Sequence, residues 1–555
     1  MPVTRSSILR RALCAGAAAA VPGTTTVMAA PLDPPPPPFA VEASPGEPVE
    51  TFYIRQFKVQ GAKNLPRVDV ESAVYRFMGP ECTQMHVEGA RAALEKAYRN
   101  KGLQTVTVSL PPQELKHGIV VLKVSEIRIG RLRVKGSRYF DIEKIKAKAP
   151  SLAEGSVPNF NDVTRDLIAL NKHPDRQVIV GREQITQGVE PGTLDVEMLV
   201  KDKFPLHGTL ELNNRYSPDT SELRINGAIS YSNLWQAGHT GGLSFQLAPE
   251  RLEDALVFSA FYNMPLESLE DTSLTLTATK QDSDLNTLGG AAVLGRGYMA
   301  GARLTKTLPP GKNYFHTLSG GIDFKNFDQD VKVGTTTIST PIRYWPVSVT
   351  YSGTQALDHS STDVNATLGM HFRGMGSSSD EFDDKRFKAN GAFVFLKADV
   401  SHTRDLRNGM QAFGKVQGQV SNGPLINSEQ FSGGGLGNAR GYLESQVQGD
   451  NAIFGSVELR SRSFIPAPVL KEGEAKPSRP NEWRVYAFCD AGYMSNHDPL
   501  PEQDSNFSLV SVGAGTRFRL RDYYKGSLDA AFPLTDAGTT EAGDITVTFR
   551  LWADF

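Results

Sequence analysis

From Leu206 to the C-terminus, apolar and polar residues alternate in segments separated by Gly, Pro, Asn and Asp, and no helical period is visible. This alternation predicts β-strands, because successive side chains of a strand point to opposite faces. Most segments have about nine to fifteen residues, which is long enough to cross a bilayer. Sixteen strands are predicted, at 206–216, 222–233, 239–248, 255–264, 272–281, 296–307, 315–326, 341–353, 361–373, 388–402, 410–421, 451–464, 482–494, 507–521, 524–532 and 544–555.

The last of these segments has one apolar face and one polar face. One face carries Ile545, Val547, Phe549, Leu551, Ala553 and Phe555, and the other carries Thr546, Thr548, Arg550 and Asp554. An apolar face toward lipid and a polar face toward a lumen are typical of a transmembrane β-barrel. Soluble β-sandwiches are the alternative, but their strands usually have about five or six residues. We therefore predict a 16-stranded outer-membrane β-barrel over 206–555, in contact with membrane lipid.

The N-terminal part predicts two α+β units of the same order, β-α-α-β-β. The first unit, 52–126, has a strand at 52–59, helices at 68–77 and 87–101, and strands at 105–110 and 119–124. The second unit, 127–205, has a strand at 127–134, helices at 141–147 and 161–171, and strands at 177–181, 183–187 and 193–200. Asn161 is the predicted N-cap of its helix, since asparagine is favoured there.

The two units begin alike, with IRQFKVQGAKNL in the first and IGRLRVKGSRYF in the second. In both, apolar residues alternate up to a glycine, and a basic residue follows. This similarity predicts two tandem copies of one small domain. Each copy either leaves a sheet edge open, where an added strand could pair, or has that edge covered.

The first fifty residues predict export from the cytoplasm. A basic region with Arg5, Arg10 and Arg11 precedes the apolar stretch Ala12–Val21, and small residues follow, so 1–30 reads as a signal peptide. Residues 31–51 contain a run of five prolines, Pro34–Pro38, which favours an extended linker.

Composition excludes several classes of function. Lys+Arg 59 against Asp+Glu 61 gives a net charge of −2, so no nucleic-acid partner is expected. No apolar run of about eighteen residues follows the signal peptide, which excludes a helical membrane protein. Of the three cysteines, Cys82 and Cys489 fall in different predicted domains, so neither a disulfide nor a metal site is expected. Without a G-x-S-x-G motif or clustered histidines, we predict no enzyme activity and no cofactor.

A glycine-rich segment, GGGLGNARGY at 433–442, joins two of the predicted strands. Glycine allows close approach of the backbone to other groups, and the guanidinium of Arg440 presents a planar fork that suits a carboxylate. Asp490, about fifty residues later, is a candidate partner. We predict that loop 422–450 folds into the barrel lumen and that Arg440 meets Asp490 there, although Asp490 could also be a solvated residue of a channel wall.

Alternation assigns further residues to the lumen face. In 482–494, Arg484, Phe488, Asp490 and Gly492 share one face. Neighbouring strands add further predicted inward charges, which are Glu458, Arg460, Arg462, Arg517, Arg519 and Arg521.

The chain resembles the two-partner secretion transporters, which export filamentous-haemagglutinin and haemolysin-type exoproteins and belong to the superfamily of the BamA insertase. Arg440, Gly441 and Tyr442 match the family's V-R-G-Y/F loop tip, with Ala439 in place of the usual valine. Phe488, Asp490 and Gly492 match its F-x-D-x-G strand motif. Phe555 resembles the C-terminal signal that outer-membrane barrels present to the barrel-assembly machinery.

The resemblance implies two periplasmic POTRA domains, at 52–126 and 127–205, that capture an unfolded, TpsA-like exoprotein. The barrel would then export it without ATP, and Arg440–Asp490 would hold the loop. An insertase of other barrels is the main alternative, and a passive porin would not need two periplasmic domains. Family members carry a plug helix before the linker. Cleavage near Ala30 would leave no room for one, so none is expected here.

Overall fold

The computed structural model describes residues 51–555 apart from 115–116, 283–285, 289–290, 294–295, 329, 334–335, 467–480, 502 and 522. The predicted signal peptide, nearly all of the predicted linker and the expected lack of a plug helix concern residues outside this range. None of the described helices is long and apolar enough to cross a membrane.

The first α+β unit contains two small sheets. Its elements are β1 Phe52–Ile54, β2 Gln56–Gln60, α1 Arg67–Tyr75, β3 Gly79–Cys82, α2 Gln84–Asn100, β4 Val106–Ser109 and β5 Ile119–Glu126. One sheet has the order β2-β5-β4, and β2 runs parallel to β5. The other pairs β1 with β3. Strand β3 was not predicted, because Gly79 and Pro80 are residues that normally mark turns.

The second α+β unit repeats the parallel pairing of first and last strand. Its elements are β6 Arg128–Lys135, α3 Ile142–Ala147, α4 Phe160–Leu170, β7 Arg176–Ile179, β8 Ile185–Gln187 and β9 Thr193–Asp202. The sheet order is β6-β9-β7, β8 also pairs with β9, and β6 is parallel to β9. The turn glycines Gly61 and Gly136, which align in the sequence repeat, have φ of +86° and +88°. Both positions therefore require the left-handed conformation that glycine adopts without strain.

The predicted N-cap of α4 is wrong by two residues. The helix begins at Phe160, and the side chain of Asn159 accepts a hydrogen bond from the backbone N–H of Asn161. Both asparagines suit a cap, so the local sequence could not choose between them.

The remaining elements form the barrel and its loops. They are β10 Leu206–Asn213, β11 Arg224–Leu234, β12 His239–Leu247, β13 Leu256–Pro265, β14 Thr272–Asp282, β15 Asn286–Leu288, β16 Ala291–Val293, β17 Arg296–Thr307, β18 Tyr314–Asp328, β19 Asp330–Val333, β20 Thr336–Ser339, β21 Ile342–Tyr344, β22 Val347–Leu357, β23 Ser360–His371, α5 Ser379–Lys385, β24 Phe393–Asp405, β25 Gln411–Ser421, β26 Phe431–Gly433, β27 Val447–Gly449, β28 Asn451–Arg460, β29 Glu482–Ser495, β30 Asn506–Leu520, β31 Tyr524–Pro533 and β32 Thr546–Asp554.

The barrel is closed and antiparallel, because β32 pairs with both β31 and β10. Strands β21 and β22 both pair with β18 and occupy one position in the wall, interrupted at Trp345 and Pro346. The prediction of a 16-stranded barrel is therefore confirmed. We call the end where Leu206 and Phe555 lie the proximal end, since β10 follows the second α+β unit there, and the opposite end the distal end. Backbone bonds of 2.9 Å in both directions join Phe555 to Gly208.

Hairpins β15-β16 and β19-β20 and helix α5 lie in distal loops, and none was predicted. Helix α5 nevertheless has a sequence signal, because Ser378 and Glu381 form a capping box. Its Phe382 is buried in a cluster with Tyr344 and Phe393.

Candidate functional site in the barrel lumen

The loop between β25 and β28, residues 422–450, turns back into the lumen and packs on the wall. Its short hairpin, β26-β27, carries the glycine-rich tip between the two strands. Ala439 and Tyr442 of the tip are buried with Phe454, Met494 and Leu509 of the wall strands. The tip therefore belongs to the interior of the barrel.

Two glycines bend the tip. Gly434 and Gly435 have φ of +106° and +80°. A Cβ atom on Gly434 would collide with the carbonyl oxygen of Leu443, and one on Gly435 would collide with the Glu444 carboxylate. The side chain of Asn438 accepts a hydrogen bond from the Gly434 N–H at 2.7 Å. Glycine is thus required at both positions for conformation and for space.

Arg440 binds Asp490 through three hydrogen bonds. Its Nε and Nη2 donate to Oδ2 and Oδ1 of Asp490, both at 2.8 Å, and its backbone N–H donates to Oδ2 at 3.1 Å. Only 8% of Arg440 and 1% of Asp490 is exposed. This is the bidentate geometry that guanidinium forms with a carboxylate, and it fixes the backbone of the tip as well as its side chain.

The rest of the Arg440 guanidinium also binds wall residues. Nη1 donates to Glu458 Oε1 at 2.6 Å, and Nη2 donates to Ser456 Oγ at 3.0 Å. The guanidinium carbon lies 3.6 Å from the ring centroid of Phe488, a cation–π distance. The neighbouring strands β28 and β29 thus provide all of these contacts to the Arg440 side chain of the loop.

Gly441 and Tyr442 bind the remaining wall. Gly441 has φ of +95°, and its carbonyl accepts a hydrogen bond from Thr546 Oγ1 at 2.8 Å. The Tyr442 hydroxyl donates to the Thr535 carbonyl at 2.8 Å and accepts from the Val510 N–H at 3.2 Å. The tip therefore also contacts β30, β32 and the segment that follows β31.

Gly492 makes room for an aromatic stack. A Cβ atom there would collide with the Phe454 ring of β28. Phe454 in turn stacks on Phe431 of the loop, with centroids 5.6 Å apart and planes 15° apart. The alternation of residues along the strand had assigned Gly492 to the lumen face. Its packing against Phe454 could be seen only in the three-dimensional structure.

The other predicted wall charges form ion pairs nearer the proximal end. Glu458 accepts hydrogen bonds from Arg460 at 2.8 Å and Arg517 at 3.0 Å. Arg519 binds Glu482 at 2.8 Å. Arg484 contacts Glu482 and donates to the Ser461 carbonyl at 2.6 Å.

Two predicted inward charges lie beyond the ends of their strands. Arg462 was predicted to face the lumen on a strand at 451–464. Strand β28 ends at Arg460 and Arg462 is an exposed residue beyond it, so its position on the lumen face stays a prediction. Arg521 likewise follows the end of β30, is exposed and has φ of +52°. Alternation could not find either strand end, because the alternating pattern continues past both of them.

A cavity of about 320 Å³ lies on the proximal side of the tip, bordered by Arg440, Leu436 and Trp552. Its charged lining residues include Arg517, Arg519, Lys525, Arg550, Glu458, Glu482 and Asp529. Both signs of charge therefore face the space below the tip.

Sequence reasoning missed several polar contacts of the loop and of the wall around it. Glu444 accepts a hydrogen bond from Arg215 at 2.6 Å and another from the Leu436 N–H at 3.2 Å. The Tyr486 hydroxyl donates to Asp529 at 2.6 Å. Glu444 is a carboxylate four positions after Arg440, so the sequence could have indicated that it takes part in the tip. Nothing in the sequence links it to Arg215, which lies 229 residues away.

Comparison with known proteins agrees with this geometry. Residues 192–518 match the haemolysin secretion/activation proteins of the ShlB/FhaC/HecB type. The chain belongs to this family. Residues 52–126 match the ShlB-type POTRA domain. The protein is thus a two-partner secretion transporter of the outer membrane, with its POTRA region in the periplasm and a secreted exoprotein as its partner.

Relatives and solved structures extend the match over most of the chain. The outer membrane transporter CdiB of Dickeya dadantii (strain 3937) is 21% identical over 476 residues, covering 82% of this chain and 78% of that protein. CdiB of Escherichia coli O6:K15:H31 is 24% identical over 533 residues, covering 93% and 84%.

Two solved structures show the same fold. CdiB from Escherichia coli has a TM-score of 0.61 at 20% identity and covers 94% of this chain and 93% of that chain. BamA from Haemophilus ducreyi lacking POTRA domains 1–3 has a TM-score of 0.53 at 14% identity, with coverages of 91% and 100%.

Proposed function

We propose that the protein moves an unfolded exoprotein from the periplasm through the barrel lumen, and that the loop tip, held by Arg440, is the gate of this path. The observation that carries the proposal is the set of contacts around Arg440, which joins the lumen loop to two carboxylates and an aromatic ring of the wall. In this proposal, substrate passage requires this contact to open, because the tip lies in the lumen beside the charged cavity.

Capture is assigned to two POTRA domains, at 52–126 and 127–205. In support, β2 and β6, the first long strand of each unit, pair on one side only among the described residues. An unfolded chain can add a strand to such an edge through backbone hydrogen bonds, which require no particular sequence. The substrate then needs only an extended conformation to be bound.

Transport needs no nucleotide in this proposal. The sequence has no G-x-x-x-x-G-K-[ST] motif for binding phosphates. Positive and negative side chains both line the cavity below the tip, so a passing polypeptide meets charges of both signs. Folding of the substrate outside the cell supplies the direction, because a folded domain cannot return through the lumen.

Two further partners belong to the proposal. The outward side chains Val547, Leu551 and Phe555 of the last strand are exposed, which suits contact with membrane lipid. Phe555 ends that strand beside β10. We assign it the role of the C-terminal signal for the barrel-assembly machinery, which would act before the barrel closes.

The test compares two arginine variants. In Arg440→Ala cells, we expect an assembled, heat-modifiable barrel and at least about a tenfold loss of secretion, because truncation leaves Asp490 and Glu458 without their shared cation, a change that costs roughly 3–5 kcal/mol for a buried pair. Secretion is measured with the product of the neighbouring large open reading frame.

Arg462→Ala is the matched control, since it removes an exposed arginine outside the network. It should secrete normally. Unchanged secretion by Arg440→Ala would contradict the gate, and loss of the barrel itself would make Arg440 structural. Depletion of other outer-membrane proteins, with exoprotein secretion intact, would identify an insertase instead.

A further inference from the structure

The lipid-facing surface of β12, β13, β14 and β17 contains a shallow groove. Leu243 lies opposite Ala260, Ala260 opposite Ala278, and Ala278 opposite Ala300, so three alanines form one row across the wall. Leu243 is 62% exposed, which places this row on the outer face. The short side chains leave a groove of about 420 Å³ with almost entirely apolar walls.

The next row toward the distal end contains Phe258, Lys280 and Tyr298, which lie opposite one another in the same register. Phe258 is 53% and Tyr298 50% exposed, so these two rings stand on either side of Lys280. All three residues line the groove. A cation thus lies at the distal end of an apolar depression, between two aromatic walls.

The row beyond Lys280 is polar. Asp282 lies opposite Arg296 at the distal end of the wall, and the two form an ion pair at 2.7 Å. Lys280 therefore lies one row inside the polar border, where its ammonium can extend along the wall toward the head-group level. Lys280 is exposed and forms no ion pair or hydrogen bond with any residue that the structure describes. A lysine on the lipid face is unfavourable unless its charge meets water or an anion.

We propose that this groove binds lipid A, the phosphorylated, multiply acylated lipid of the outer leaflet. One acyl chain lies over the alanine row between Leu243 and Tyr298, and the Lys280 ammonium binds a phosphate group. The position of Lys280 near the distal end selects the distal leaflet, its charge selects an anionic head group, and the apolar groove selects a hydrocarbon chain. The proposal rests on the lipid contact proposed above and is independent of secretion.

The test uses the full-length protein in detergent, titrated with lipid A and followed by native mass spectrometry of the complex. We expect one lipid A to bind the wild type. Lys280→Gln should weaken binding about tenfold, the loss expected for one charge-assisted contact. Ala278→Phe, which fills the groove, should weaken it similarly, and Lys280→Arg should retain it.

Ala398→Phe is the matched control for the groove, because Ala398 is an exposed alanine of β24 on another part of the wall. It should bind lipid A like the wild type. Lipid A without phosphates should bind the wild type no better than it binds Lys280→Gln. Equal lipid A affinity of the wild type, Lys280→Gln and Ala278→Phe would overturn the site, as would equal binding of zwitterionic phosphatidylethanolamine. Heat-modifiability of each variant verifies the barrel.

Discussion

Arg440 differs from the other lumen arginines in burial more than in charge. Arg517 and Arg519 also pair with carboxylates, but their side chains remain 36% and 30% exposed. Water can therefore replace their carboxylate partners at a small cost in free energy. Water cannot reach Arg440 and its two carboxylates in the same way, because all three are buried. The same residue type, on the same lumen side, thus stabilises the loop at one position and only lines the path at others.

Two glycines of the tip allow a matched experiment on its shape. Gly435→Ala should release the tip, because Gly435 has positive φ and a methyl group there meets the Glu444 carboxylate. We expect a destabilisation of roughly 1–3 kcal/mol and faster proteolysis within 434–445. Gly437→Ala should behave like the wild type, since no atom lies within 4 Å of its added Cβ and its φ is not in the left-handed region. Equal protease sensitivity of the two variants would contradict this account.

His173 of the second α+β unit predicts a pH dependence. Burial lowers the pKa of its imidazole; Arg176 and Lys148 also lower it, while the Ser232 carbonyl and Asp175 oppose the shift. The folded protein therefore prefers the neutral ring, and the unfolded chain binds more protons. Stability is complete above the ordinary histidine pKa of about 6.5 and falls as the pH drops below it.

This dependence can be measured by hydrogen exchange. On acidification from about pH 7.5 to 5.5, the protection factors of the β7 amides, which correct for the slower intrinsic exchange at low pH, should fall in the wild type, and this fall should be smaller in His173→Gln. His86→Gln changes an exposed histidine of the first unit and should leave the fall at β7 unaltered. A wild-type response retained in full by His173→Gln would refute the assignment.

The short turn between β11 and β12 contacts the second α+β unit. Trp235 and Gln236 have φ of +60° and +54°, which is unusual for residues with side chains. The Gln236 amide donates to the Tyr139 carbonyl and accepts from the Asp141 N–H, both at 3.0 Å. Lys144 donates to the Trp235 carbonyl at 2.9 Å. The strained turn thus attaches the second α+β unit to the barrel.

Gln236→Ala should loosen this attachment without unfolding the barrel. We expect increased hydrogen exchange over 139–144, because two hydrogen bonds of roughly 0.5–1.5 kcal/mol each are removed. Asn408→Ala is the control, since Asn408 also has positive φ, at +66°, in another proximal turn. Increased exchange over 139–144 in both variants, or in neither, would contradict a specific role of Gln236.

Element prediction worked best where the chain repeats a simple period. All sixteen wall strands were found, because each crosses from one end of the barrel to the other with alternating faces. Short elements failed: β3 contains Gly79 and Pro80, and α5 shows only a capping box. Their stability comes from neighbours, such as the Tyr344 and Phe393 rings around Phe382, and a local pattern cannot report those.

For the whole molecule, barrel closure does not depend on the lumen loop. Each of the sixteen wall positions is paired with two neighbours, and β10 pairs directly with β32. Replacing residues 434–445 by a short turn should therefore leave a heat-modifiable barrel. Single-channel conductance in planar bilayers should rise, because the tip no longer occupies the lumen.

Gly437→Ala again serves as the control and should conduct like the wild type. A tip deletion that leaves conductance unchanged would show that the tip does not obstruct the path. A deletion that prevents assembly would show instead that the loop is needed to build the wall.

The sequence by itself determined the number and faces of the wall strands, the two α+β units and the pair Arg440 and Asp490, because period two and short motifs are local properties. The tertiary structure alone decided which charges are buried, that Glu458 shares Arg440 with Asp490, that Glu444 meets Arg215, and that β28 and β30 end before Arg462 and Arg521. These outcomes follow from barrel closure and insertion of the loop, which bring together residues far apart in the chain and determine how much water reaches each of them.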